Sequence, residues 1–120
     1  MGSGGQFTRG KSFDTFCPLG PRIVPAASIP DPQALRVSCR VNGREMQNAP
    51  TSQMIFSVAS LIADLSRGAT ILPGTVILTG TPSGVGMARK PPEFLKHGDV
   101  VEVEIDRIGV LTNRVRFEGR

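Results

Sequence analysis

Two glycine-punctuated segments hold the side chains of this sequence best suited to chemistry. The first is Gly10-Lys11-Ser12-Phe13-Asp14-Thr15, which sets an ammonium and several hydroxyls close together. The second is Thr79-Gly80-Thr81-Pro82-Ser83-Gly84-Val85-Gly86, where three hydroxyls alternate with glycines around one stiffening proline. Glycines let a backbone approach a ligand closely, and hydroxyls hydrogen-bond a carboxylate or phosphate. The same composition also suits a tight loop that needs small residues for geometry alone, and the residues leave both readings open. Read from Gly5, the first segment satisfies the G-x-x-x-x-G-K-[ST] pattern of a phosphate-binding loop. That motif requires a strand entering and a helix leaving. Met1-Gly2-Ser3-Gly4 leaves no room for the strand, and Cys17-Pro18-Leu19-Gly20-Pro21 is a poor continuation for the helix. The nucleotide reading is therefore set aside. A dinucleotide fingerprint fails as well, because the glycine spacing in 80–86 is wrong and Pro91-Pro92 stands where its helix must run.

Other chemistry-bearing residues read as structural. Glu102 and Glu104 form an E-x-E pair able to hold a hard cation. Val101, Val103 and Ile105 claim the buried face of that strand, which leaves both glutamates facing water. His97, the single histidine, lies in a Lys96-His97-Gly98-Asp99 turn with no orienting partner nearby in sequence. Cys17 and Cys39 have no metal-type spacing, and two cysteines without a framework point to a reducing, cytoplasmic setting.

The elements that position these segments follow from local pattern. Residues 13–31 are proline-rich and predict extended or turn structure. Leu35, Val37, Cys39 and Val41 alternate with Arg36, Ser38 and Arg40, and Asn42-Gly43 then predicts a two-residue hairpin turn with a return strand over 44–47. Met54, Ile55, Val58, Leu61, Ile62 and Leu65 recur at helical spacing and predict one main helix near residues 52–67. Thr51 or Ser52 would cap it, Gly68 would end it in a left-handed conformation, and its apolar stripe would pack on a sheet. The run 75–79 reads as a buried strand feeding the second glycine segment, and further strands are predicted over 100–105 and 110–117. The fold class is thus α+β, mostly β.

Composition bounds the answer. The chain has 120 residues, enough for one domain, with 39% hydrophobic and 20% charged residues, as in ordinary globular proteins. Residues 1–5 read as a flexible leader or truncation scar, and 6–120 as the folded portion. No apolar stretch approaches the roughly 20 residues of a membrane span, so no membrane partner is expected. The net charge of +4 is scattered and lacks an aromatic platform, which argues against a nucleic-acid partner.

Taken in order, Gly10-Lys11-Ser12-Phe13-Asp14-Thr15-Phe16-Cys17-Pro18-Leu19-Gly20-Pro21, Val41-Asn42-Gly43, Gln53-Met54-Ile55-Phe56 and Leu78-Thr79-Gly80-Thr81-Pro82-Ser83-Gly84-Val85-Gly86 resemble the fumarylacetoacetate hydrolase family. The likeness continues through Lys90-Pro91-Pro92, Leu95-Lys96 and Gly98-Asp99 and covers nearly everything after the leader. The resemblance implies a partial mixed β-roll, a homodimer in full-length form, and a small-molecule oxo-acid substrate of the acylpyruvate or catabolic 2-hydroxy-diene-dioate type, as in aromatic catabolism. It implies metal-dependent C–C hydrolysis, decarboxylation or keto–enol isomerisation, with Mg²⁺, or Mn²⁺ or Ca²⁺, stabilising an enolate. Lys11 matches the catalytic lysine beside the metal, Thr15 a hydroxyl position near the cation, and Thr81, with Gly80, the substrate-carboxylate site. The family's metal carboxylates and its water-activating His–Glu pair precede the Gly-Lys-Ser segment. The expectation is therefore no metal ligand in this chain, and a C-terminal portion of such an enzyme. Glu102-Val103-Glu104 stands at the wrong place in that order. The alternative is a non-catalytic β scaffold that associates with a partner chain.

Overall fold

The computed structural model describes residues 7–117, so the expected leader at 1–5 lies outside the described residues. Its centre is a four-stranded antiparallel sheet of order β2-β1-β3-β4, built from β1 (Arg36–Val41), β2 (Arg44–Pro50), β3 (Val100–Ile105) and β4 (Gly109–Arg114). Asn42 and Gly43 both take positive φ, 52° and 79°, as the hairpin turn requires. The return strand runs on to Pro50, beyond the expected 44–47. The Asn42 side chain also ties this turn to β3, donating to Asp99 Oδ1 (2.9 Å) and accepting from the Val100 N–H (2.9 Å).

The apolar positions of β1 and β3 come into register as expected. Val37, Cys39 and Val41 stand opposite Ile105, Val103 and Val101, while Arg40 stands opposite Glu102. Both faces are only half-covered, and Leu35, just before β1, is the one buried apolar residue among those described, at 7% exposure. Glu102 and Glu104 stay partly exposed, and both are paired with Arg40 of the neighbouring strand. Its Nη1 reaches Glu104 at 2.8 Å and its Nε reaches Glu102 at 3.6 Å. These carboxylates, led by the Glu104 hydrogen bond, hold the Arg40 guanidinium above its ordinary pKa. Cys39 is half-buried behind this cluster, and burial pushes its thiol up against the opposing pull of Arg40.

The main helix, α2, runs Val58–Gly68 and starts later than expected. Thr51 cannot cap it, because the Thr51 hydroxyl is committed to Leu35, accepting from its N–H (3.0 Å) and donating to its carbonyl (3.1 Å). Residues Thr51–Gln53 form a 3-10 turn instead, and Ser57 is the cap, its Oγ accepting from the Ser60 N–H at 3.1 Å. Gln33 supplies a second partner for the helix start, its Oε1 accepting from the Val58 N–H at 2.9 Å. Gly68 is the last helical residue rather than a left-handed terminator, and Ala69 follows in extended conformation.

Two further expectations fail for one reason. Residues 75–79 join no sheet, with Val76 57% and Leu78 74% exposed. The apolar stripe of α2 is likewise uncovered, Ile62 and Leu65 each being 46% exposed. Both segments have the right local pattern, and no described element packs over them. The chain presents 9959 Å² to solvent, against about 6,300 Å² for a compact monomer of its mass. Its radius of gyration, 15.9 Å, exceeds the roughly 13.6 Å expected at this length.

Candidate functional site

The second glycine segment lies on β2, and an irregularity in that strand explains how. Cys39 pairs with Gln47 and Arg40 with Glu45, so Met46 is the extra residue of a β-bulge. A bulge re-aims the side chains around it. Met46 and Gln47 are accordingly half-buried in succession, where a regular strand would alternate. The Gln47 carboxamide reaches across to the loop, and Nε2 lies 2.9 Å from Thr81 Oγ1, 2.7 Å from the Pro82 carbonyl and 3.3 Å from the Ser83 carbonyl. Arg89 fastens the far side of the loop, donating from Nε to the Gly84 carbonyl (3.2 Å) and from Nη2 to the Met46 carbonyl (2.7 Å). Glu93 holds the neighbouring cations, pairing with Arg44 and lying 3.8 Å from Arg89.

The three loop glycines have different causes. A Cβ on Gly84 would sit 2.3 Å from the Met46 carbonyl oxygen, and one on Gly86 would sit 1.9 Å from the Glu93 carbonyl oxygen. Those two are required by the close approach of backbone. Gly80 has φ +100° and nothing within 4 Å of its missing side chain, so only its conformation demands glycine and the space beside it is clear. The two readings of this segment therefore divide along it. Its C-terminal part packs on β2, and its N-terminal part, Gly80-Thr81, is exposed to solvent.

The first glycine segment is placed differently. A four-residue helix, α1 (Phe7–Gly10), ends where a phosphate-binding loop would begin one, and turns follow from Lys11. The Lys11 N–H and the Ser12 hydroxyl both donate to the Thr8 carbonyl, at 3.2 and 2.5 Å. Lys11 and Thr15 are exposed, and Thr15 has φ 67°, a left-handed conformation that a β-branched residue rarely adopts. Such strain persists only where the surroundings impose it, and it gathers at functional segments.

An open concavity of about 440 Å³ lies between the sheet and the loop, walled by Cys39, Val41, Met46, Val85, Phe94 and Leu95 among others. Its lining is mainly apolar and includes none of Lys11, Thr15, Gly80 and Thr81. His97 serves the fold, with Nδ1 accepting the Phe117 N–H at 3.1 Å and its ring edge-on to Phe117. Among the described residues no group of three His, Cys, Asp or Glu side chains could hold a metal ion. Glu102 and Glu104 are already engaged by Arg40. The described residues alone therefore do not fit a divalent cation. Gln47 is the site residue that sequence reasoning missed, since its role depends on a bulge that no short motif announces.

Residues 1–116 match the family model for the fumarylacetoacetate (FAA) hydrolase C-terminal region. The chain is 54% identical over 115 residues to the mitochondrial oxaloacetate tautomerase Fahd2a of Rattus norvegicus, covering 96% of this chain and 37% of that protein. It thus spans a little over a third of the length of the curated relatives it matches. Among solved structures, the fumarylacetoacetate hydrolase of Exiguobacterium antarcticum superposes with a TM-score of 0.88 at 46% identity, covering 92% of this chain and 39% of that one. The maleylpyruvate hydrolase of Sphingobium sp. SYK-6, solved with manganese(II) and pyruvate, matches with a TM-score of 0.78 at 36% identity, covering 87% and 37%. Among the described residues no helix is long and apolar enough to cross a membrane.

Proposed function

Because this chain belongs to the fumarylacetoacetate hydrolase family, we propose that it forms the substrate-holding part of an enzyme acting on a 2-oxo acid, with keto–enol tautomerisation of an oxaloacetate-like diacid as the favoured reaction. The observation that carries this reading is the Gly80-Thr81 corner, exposed and fixed in place by Gln47, in a chain more than half identical to a tautomerase. Thr81 and the Gly80 N–H would hold the substrate carboxylate, and the Lys11 ammonium would polarise the oxygen on which negative charge develops. Thr15 would stand near the cation. In this proposal Lys11 and Thr81 meet across one substrate.

The expected divalent cation, Mg²⁺ or its relatives Mn²⁺ and Ca²⁺, would take its carboxylate ligands from sequence outside this chain, and the full-length protein would be a homodimer. A cytoplasmic location rests on the two free cysteines, whereas the rat relative is named mitochondrial, and cell fractionation distinguishes the two. The activity test follows the ultraviolet absorbance of enol oxaloacetate with the protein that carries this chain and Mg²⁺ or Mn²⁺. Faster decay than in buffer is expected, with loss on chelation. A rate equal to buffer with every cation would remove the proposal.

A second reading, a non-catalytic scaffold, draws on the uncovered apolar face of α2 and the excess surface. It predicts stable association with a partner chain and no turnover. Sedimentation combined with the same assay separates it from the enzyme.

A further inference from the structure

We infer that Gln47 is a positioning residue, one that turns the Thr81 hydroxyl into a hydrogen-bond donor for the anionic end of the substrate; the inference rests on the oxo-acid reading above. The carboxamide has an NH₂ end and an oxygen end, and the loop decides which faces it. The Pro82 and Ser83 carbonyls can only accept, so the end lying 2.7 and 3.3 Å from them is the NH₂. The same nitrogen is 2.9 Å from Thr81 Oγ1, which therefore accepts as well. A threonine hydroxyl has one proton and ordinarily rotates to suit its neighbours. Once its oxygen accepts from Gln47, that proton must point elsewhere. The exposed side of the loop is open to it, Gly80 and Thr81 both being exposed. A carboxylate takes only donors, and a donor aimed before the ligand arrives need not reorganise.

Three features hold Gln47 to this task. The bulge at Met46 aims its side chain out of the strand alternation. Gly84 lets the loop descend until the position of its absent Cβ is 3.2 Å from Gln47 Cγ. Arg89 pins the Gly84 and Met46 carbonyls on the far side, so loop and strand cannot slide apart around the carboxamide.

The test uses the full-length protein that carries this chain, with its cation, and two variants of similar shape. Gln47→Met removes the donor. It is expected to raise KM for oxaloacetate about tenfold, the loss of one hydrogen bond, with kcat within about threefold, because binding is lost equally in ground and transition states. Gln47→Glu presents an acceptor instead, draws the Thr81 proton away from substrate, and is expected to raise KM further. In a Thr81→Val background neither substitution should add to the loss already present, since both act through that hydroxyl. Additive effects, or a wild-type KM in Gln47→Met, would overturn the inference. Amide hydrogen exchange at residues 80–86 provides a readout independent of turnover. Faster exchange there in Gln47→Met, with β3 and β4 unchanged, supports positioning, and unchanged exchange rejects it. If the parent protein shows no tautomerase activity, the oxo-acid reading falls on that result, and the exchange data still decide whether Gln47 positions the loop.

Discussion

The four-stranded sheet and the long excursion that leaves it at Pro50 and returns at Val100 use apolar residues in opposite ways. In the sheet, Val37, Cys39 and Val41 meet Ile105, Val103 and Val101 across a paired ladder, and Leu35 is sealed at one end. In the excursion, Ile55 is 91% exposed, and α2 and residues 75–79 turn apolar side chains to solvent. The two regions have equally good local patterns. The difference is that the sheet's partners lie within the chain, whereas those of the excursion are not among the described residues. Periodicity forms an element, and cover decides whether the element contributes to stability.

That contrast can be broken by substitution. The largest effect is expected at Leu35, where truncation to Ala should cost about 2–4 kcal/mol in urea titration. Leu65→Ala in α2 should cost no more than about 0.5 kcal/mol in the same chain. Equal losses at the two sites would mean that the helix is covered after all. Next comes the seam between the regions, where Gly86→Ala forces a Cβ onto the Glu93 carbonyl and should cost about 1–3 kcal/mol. Gly80→Ala meets no atom and bears only the penalty of its positive φ, about 1 kcal/mol. The reverse order at these two glycines would contradict the division of the loop into a packed and an exposed part.

Smaller effects sharpen the comparison within the sheet. Arg40→Met removes the cation shared by Glu102 and Glu104 and should lower the urea midpoint only slightly, the loss fading at high salt. The smallest effect concerns acid. The Lys96 N–H and the Asn42 amide hold the Asp99 carboxyl below its ordinary pKa. The folded group therefore releases its proton at lower pH than the unfolded one. Its contribution is complete above the ordinary aspartate value and is lost as pH falls through the lower folded value. Asp99→Asn should flatten the acid limb of the stability profile, and an unchanged limb would show that Asp99 is not responsible.

What the sequence disclosed follows the same division. The Asn42-Gly43 hairpin was legible because its demand for positive φ is local, and the family likeness was carried by separated motifs in order. The helix was legible in kind, but its start was not, since Thr51 spends its hydroxyl on Leu35, far from it in sequence. Residues 75–79 have every property of a strand except a neighbour, which pattern alone cannot supply. At the candidate site, Thr81 and the glycines drew attention by composition. Gln47 did not, because its importance arises from a bulge that shows in the strand register and in the burial of Met46 and Gln47, and not in their residue types. Whether Lys11 and Thr81 share a substrate is a long-range matter that spacing does not fix.

The order of strands carries a kinetic consequence. Each hairpin, β1–β2 and β3–β4, joins neighbours in sequence and can zip in about 1–10 μs. Docking β1 on β3 must bring together Asn42 and Val100, separated by 58 residues, so it has to close the whole excursion before its ladder gives anything back. We expect that closure to limit the folding rate, with two preformed hairpins waiting on one long tether. Because closure entropy grows only logarithmically, doubling the tether adds about 0.6 kcal/mol. A Gly/Ser insertion at the exposed Pro73-Gly74 turn should therefore slow refolding in stopped-flow by no more than about threefold, and a much larger delay would show that the excursion folds before the sheet closes.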